Sequence, residues 1–203
     1  MNKQLLVDVR TFDVSAKQID ESIKENNGKL VVKGVLQRAE SKNQNGRIYP
    51  REVLVREVQK YSEQQVTERR ALGELDHPDS SVVELKNASH IVREAYMDGD
   101  ICYGTVEILD TPSGKILKSL VSSGVTLGIS SRGVGSTRRE GDHQVVQDDF
   151  QLICWDFVSE PSTPGAFMMK EGRDITEAEL RKVFNKTDRL NRIFNDVLQW
   201  SEE

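Results

Sequence analysis

The chain has 203 residues, enough to bury one substantial core and too few for two ordinary domains with linkers. Hydrophobic residues make up 36% and charged residues 30%, the balance of a folded domain with solvated ends. A formal net charge of -5, with 33 acidic residues and no basic stripe, argues against nucleic acid as a partner.

Residues 1–28 read as a polar, weakly patterned segment closing on the turn signal Asn26-Asn27-Gly28. The β-branched run 29–36 predicts the first strand of a core domain spanning 29–170. After an Asn45-Gly46 turn, Pro50 opens a predicted helix over 51–69, where Val53, Leu54, Val58 and Tyr61 recur at helical spacing. A short strand, 71–75, delivers His77 to its end. Further strands are predicted at 88–96, 101–108 and 127–130, with a helix at 115–122 presenting Ile116, Leu117, Leu120 and Val121 on one face. Strands at 134–136, 144–146 and 150–158 complete the β set, and Pro161 and Pro164-Gly165 end it. The segment 171–203 is expected to be helical, on the amphipathic pattern of 176–200.

Nowhere do about 18 apolar residues follow one another, and the N-terminal residues lack the apolar run of a secretion signal. A cytosolic protein without a membrane span is expected. Cys102 and Cys154, both in apolar strand contexts, are then expected to be buried reduced thiols.

Three histidines are available as a base. His90 lies in an alternating strand and His143 at a hairpin tip, both structural contexts. His77 ends a strand in Gly73-Glu74-Leu75-Asp76-His77-Pro78, where Pro78 fixes the backbone just beyond it. Much later comes Gly128-Ile129-Ser130-Ser131-Arg132-Gly133, whose glycines suggest a tight turn with amides available to a carbonyl oxygen. An imidazole serving a hydroxyl is the pairing that serine catalysis requires. Asp156, an acid inside the apolar strand Ile153-Cys154-Trp155-Asp156-Phe157-Val158, is costly unless paired, and so is a candidate to orient the imidazole. Asp148 and Asp149 compete for that place. A metal site on Glu74, Asp76, His77 and Asp79 lacks spaced partners, and neither metal nor cofactor is expected.

The order His77, Ser130, Asp156 resembles the prohead proteases of tailed phages, most closely the T-even type, which share the herpesvirus assemblin fold. Gly34-Val35-Leu36-Gln37-Arg38-Ala39, Asn43-Gln44-Asn45-Gly46-Arg47-Ile48-Tyr49-Pro50, the His77 and Ser130 blocks, and Asp156-Phe157-Val158-Ser159-Glu160-Pro161-Ser162 carry the resemblance. It implies an α+β fold with a mainly antiparallel β-barrel core and surrounding helices. It also implies a serine endopeptidase with His77 as base and Ser130, or alternatively Ser131, as nucleophile. Asp156 stands where assemblins use a second histidine. Arg132 and Gly133 are expected at the oxyanion or substrate, Arg132 replacing a glycine of the lambdoid relatives.

By the same resemblance the substrates are scaffold, major capsid and internal proteins, cut after Glu in Leu/Ile-x-Glu motifs inside the prohead assembling in the host cytoplasm. Arg132, Arg47 or Lys86 would face the substrate carboxylate. The motifs Ile19-Asp20-Glu21 and Ile175-Thr176-Glu177 mark both end segments for self-removal, leaving 22–177. Assemblins are activated by dimerisation, so a homo-oligomer is open here. The competing reading is a non-enzymatic phage scaffold or core protein, using the amphipathic C-terminal face for assembly.

Overall fold

The computed structural model of the chain describes residues 4–11 (main chain), 22–78, 80–125 and 127–159. The architecture is α+β and mostly strand. Strand β1, Gln4–Thr11, is followed by β2, Val31–Arg38, the two-residue β3, Arg47–Ile48, and helix α1, Arg51–Tyr61. Pro50 at the N-cap starts α1, and Val53, Leu54, Val58 and Tyr61 bury one face of it. The expected helix to residue 69 is α-helical only to Tyr61. It widens over Ser62–Val66, where the Thr67 amide reaches back to the Ser62 carbonyl at 3.0 Å, and ends where Arg69 turns left-handed at φ 56°.

β4, Leu72–Glu74, and the hairpin strands β5, Ala88–Asp98, and β6, Ile101–Ile108, come next. Helix α2 spans Pro112–Ser122, starting earlier than expected because Thr111 Oγ1 accepts the Gly114 amide at 3.0 Å and Pro112 occupies the first turn. Leu117 and Val121 face the core, but Ile116 is 55% exposed, off the apolar face proposed for it.

The remaining strands are β7, Gly128–Gly135, β8, Thr137–Glu140, β9, His143–Val146, and β10, Gln151–Val158. The glycine-bracketed stretch read as a turn is therefore the first part of one continuous strand. Gly133 serves close approach instead: a Cβ there would sit 2.4 Å from the Phe150 ring. His143 opens β9 opposite Glu140 across the Gly141-Asp142 turn, at the hairpin tip expected of it.

The strands order as β1-β7-β10, β2-β6-β5-β4 and β3-β9-β8. The expected barrel is not present among the described residues. The first two sheets meet through an isolated parallel bridge, Leu75 with Phe157, which brings β4 against β10 without a continuous ladder. Leu36, Leu54, Val106, Ile129 and Trp155 lie fully buried in the core between them. The N-terminal segment read as weakly patterned supplies β1, antiparallel to β7 with Val9 opposite Ser130. No helix among the described residues is long and apolar enough to cross a membrane. Glu21, Asp79, Glu177 and the whole segment 171–203 lie outside the described residues.

Candidate active site

Two strands of one sheet bring a hydroxyl and a carboxylate together. β7 and β10 run antiparallel with Ser130 opposite Asp156 and Ser131 opposite Trp155. Directly opposed residues share a face and neighbours alternate, so Ser130 and Asp156 point to one side and Ser131 to the other. Ser130, Ser131 and Asp156 are all buried, which is why alternation of polarity along β7 could not separate the two serines.

The third group arrives from β4. Leu75 bridges Phe157, and the Asp76 amide donates to the Phe157 carbonyl at 2.8 Å. Asp76 then adopts φ 66°, a left-handed turn that aspartate tolerates better than most residues. His77 follows, with 18% of its side chain exposed. Its Nδ1 lies 2.8 Å from Asp156 Oδ2 and its Nε2 lies 2.6 Å from Ser130 Oγ. With the proton on Nδ1, the ring donates to the carboxylate and accepts from the serine, the arrangement a general base needs.

Behind Asp156 stands a second layer of charge. Asp156 Oδ1 accepts the Glu74 amide at 2.9 Å. Arg132 Nε lies 2.9 Å from Asp156 Oδ2, and its Nη2 binds the Glu74 carboxylate. Arg132 also donates through Nη1 to the Ser80 carbonyl at 2.8 Å and contacts Cys154 Sγ at 3.2 Å. Burial pushes the Asp156 carboxyl up, but the His77 hydrogen bond, the Arg132 charge and the Glu74 amide together hold it below the usual carboxylate range.

The guanidinium of Arg132 is thus fully enclosed. The expected placement of Arg132 and Gly133 at the oxyanion or substrate does not fit a central strand: paired β1 and β10 take up its backbone, and Glu74 and Asp156 take up the arginine. Of the other basic candidates, Lys86 is 76% exposed and paired with Glu84 at 2.8 Å, while Arg47 lies on β3 in another sheet. Asp149, the competing acid, receives the Ser136 amide and hydroxyl at 2.9 Å each, and the Asp148 carbonyl accepts from Arg56. Glu74, weighed as a metal ligand, is occupied by Arg132, and the described residues hold no cluster of metal-binding side chains.

The other histidines and the thiols are structural. His90 hydrogen-bonds Ser89 Oγ and the Trp155 carbonyl, and burial pushes its pKa down to about 4. Cys102 and Cys154 are free and buried, and burial pushes Cys102 up to about 12 and Cys154 above its ordinary value.

Comparison with known proteins gives the family and the fold. Residues 7–180 match the family described as prohead core protein serine protease. The chain belongs to that family. It is 32% identical over 163 residues to the prohead core protein protease of Enterobacteria phage T4, a match covering 78% of this chain and 76% of the relative. Its fold is similar to the solved capsid assembly protease of bacteriophage T4, with TM-score 0.68 and 25% identity over 79% of this chain and 100% of that one. Within this protease family, Ser80 and Cys154 had no site role in the sequence reading and Glu74 was weighed only as a metal ligand, yet all three contact Arg132. The available signal was two opposite charges, Glu74 and Arg132, in segments otherwise free of charge, each of which needs a partner once buried.

Proposed function

We propose that the chain is a serine endopeptidase of phage capsid maturation. His77 takes the proton of Ser130, Ser130 Oγ attacks the scissile carbonyl, and Asp156 orients the imidazole and balances its charge once protonated. The imidazolium then gives its proton to the leaving amine, and a water activated by the same ring releases the acyl group. The observation that carries this reading is the unbroken path from Asp156 Oδ2 through His77 to Ser130 Oγ, with contacts of 2.8 and 2.6 Å.

The relatives' names support prohead scaffold and capsid proteins as substrates, inside the prohead assembling in the host. Cleavage after Glu in Leu/Ile-x-Glu, with self-removal at Glu21 and Glu177, completes the proposal. Since Arg132 is enclosed, Lys86 or Arg47 is left to meet the substrate carboxylate.

The test is a peptide containing Ile-x-Glu incubated with the full chain and with Ser130→Ala. Cleavage after Glu is expected from the first, and from the second a rate lower by ~10⁴ or more with unchanged folding. A peptide left whole by the unaltered chain would favour a scaffold role.

A further inference from the structure

Arg132 is a fully buried cation that reaches three separate parts of the chain. On β7 it shares a face with Ser130, two residues away. It contacts Asp156 on β10 through Nε at 2.9 Å, Glu74 on β4 through Nη2, and the Ser80 carbonyl through Nη1 at 2.8 Å. Glu74 extends the clamp, because its Oε1 accepts the Glu84 amide at 3.0 Å. The segment carrying His77 is therefore tied at Ser80 and Glu84 to one buried ion pair, and that same pair abuts the carboxylate that His77 contacts.

We infer that Arg132, braced by Glu74, is a positioning residue for the proposed reaction: it aims the Asp156 carboxylate at His77 and fixes the course of the chain beyond the histidine. This rests on the triad reading above. A buried ion pair serving the fold alone would need neither a carboxylate shared with the imidazole nor a bond to the loop past it. The groups facing Asp156 are His77 and Glu74 from the β4 side, Arg132 from β7 and Cys154 from β10, with His90 of β5 and Tyr61 of α1 further off. Arg132 is the only permanent cation among these named groups, so its removal makes Asp156 easier to protonate.

Two variants separate positioning from folding. Arg132→Lys keeps the charge and loses the fork. Arg132→Met combined with Glu74→Met removes both charges, so that pair leaves no partner behind. Each is compared with the unaltered full chain by thermal unfolding and by labelling with a fluorophosphonate, which reads serine activation independently of the cleavage motif. The maximal labelling rate is expected to fall about 10-fold for the lysine variant and about 100-fold for the double variant, with reagent affinity within about two-fold, as for lost outer-layer support at other sites. In the double variant the acid limb of the labelling rate moves to higher pH, because the cation lost touches Asp156 at 2.9 Å whereas the Glu74 carboxylate lost with it is held on Arg132 and the Glu84 amide. Folded variants with unchanged rate and unchanged acid limb would overturn the inference, and the lysine variant alone decides should the double variant fail to fold. Failure of the triad reading is distinguishable: Ser130→Ala would then label as fast as the unaltered chain.

Discussion

At the scale of single residues, Asp156 is ionised inside the protein because three partners outweigh its burial. A carboxylate whose pKa is lowered by folding contributes stability that is present above its unfolded value, about 3.9, and lost as pH falls through the folded value. Asp156→Asn should therefore destabilise the protein at neutral pH, with the gap to the unaltered chain narrowing below about pH 4; urea unfolding at the two pH values measures it. The serines give a second residue-level expectation. Ser131 faces away from His77, so Ser131→Ala should retain cleavage while Ser130→Ala loses it, read by rates on the same peptide. Asp156 was legible from sequence because an acid within Cys154-Trp155-Asp156-Phe157 demands a partner. Arg132 was misassigned for the converse reason. A guanidinium in a motif reads equally well as facing substrate or facing a buried acid, and only the β7–β10 register tells which.

Among the elements, β4 is the one whose placement decides the site. It lies against β5 and β10 so closely that a Cβ on Gly73 would meet the Trp155 carbonyl oxygen at 2.1 Å and the His90 ring at 2.2 Å. Backbone and an enclosed ring cannot yield as a flexible side chain would. Gly73→Ala should therefore cost roughly 1–3 kcal/mol or more, measured by thermal unfolding, and displace Glu74 and His77 enough to depress cleavage further than the stability loss explains. Strands β5, β6 and β10 were readable from β-branched and aromatic runs, and α1 from its apolar spacing. β7 was not. Every residue from Gly128 to Gly133 is buried, which erases alternation, and Gly133, one of the two glycines that suggested a turn, makes room for the ring of Phe150. The barrel expectation failed for a related reason, since a sequence of short strands does not say which edges join.

At the scale of the whole molecule, β1 binds the first residues of the chain to the strand that carries Ser130. Self-removal at Glu21, if it occurs as proposed, would cut the covalent link to an eight-residue strand already paired along β7. Mass spectrometry of mature particles should find new termini after Glu21 and Glu177, and intact termini would refute the trimming. β1 was overlooked because its sequence sits in a polar flank, and its pairing partner lies far along the chain. Two of the three groups of the site occupy facing rungs of one ladder, so no motion inside that sheet parts the alcohol from the acid. The ring comes from elsewhere, carried past a left-handed aspartate. Any device that silences such an enzyme while leaving it folded must act on the short stretch bearing the imidazole, and a nick placed there would disarm it with both sheets still standing.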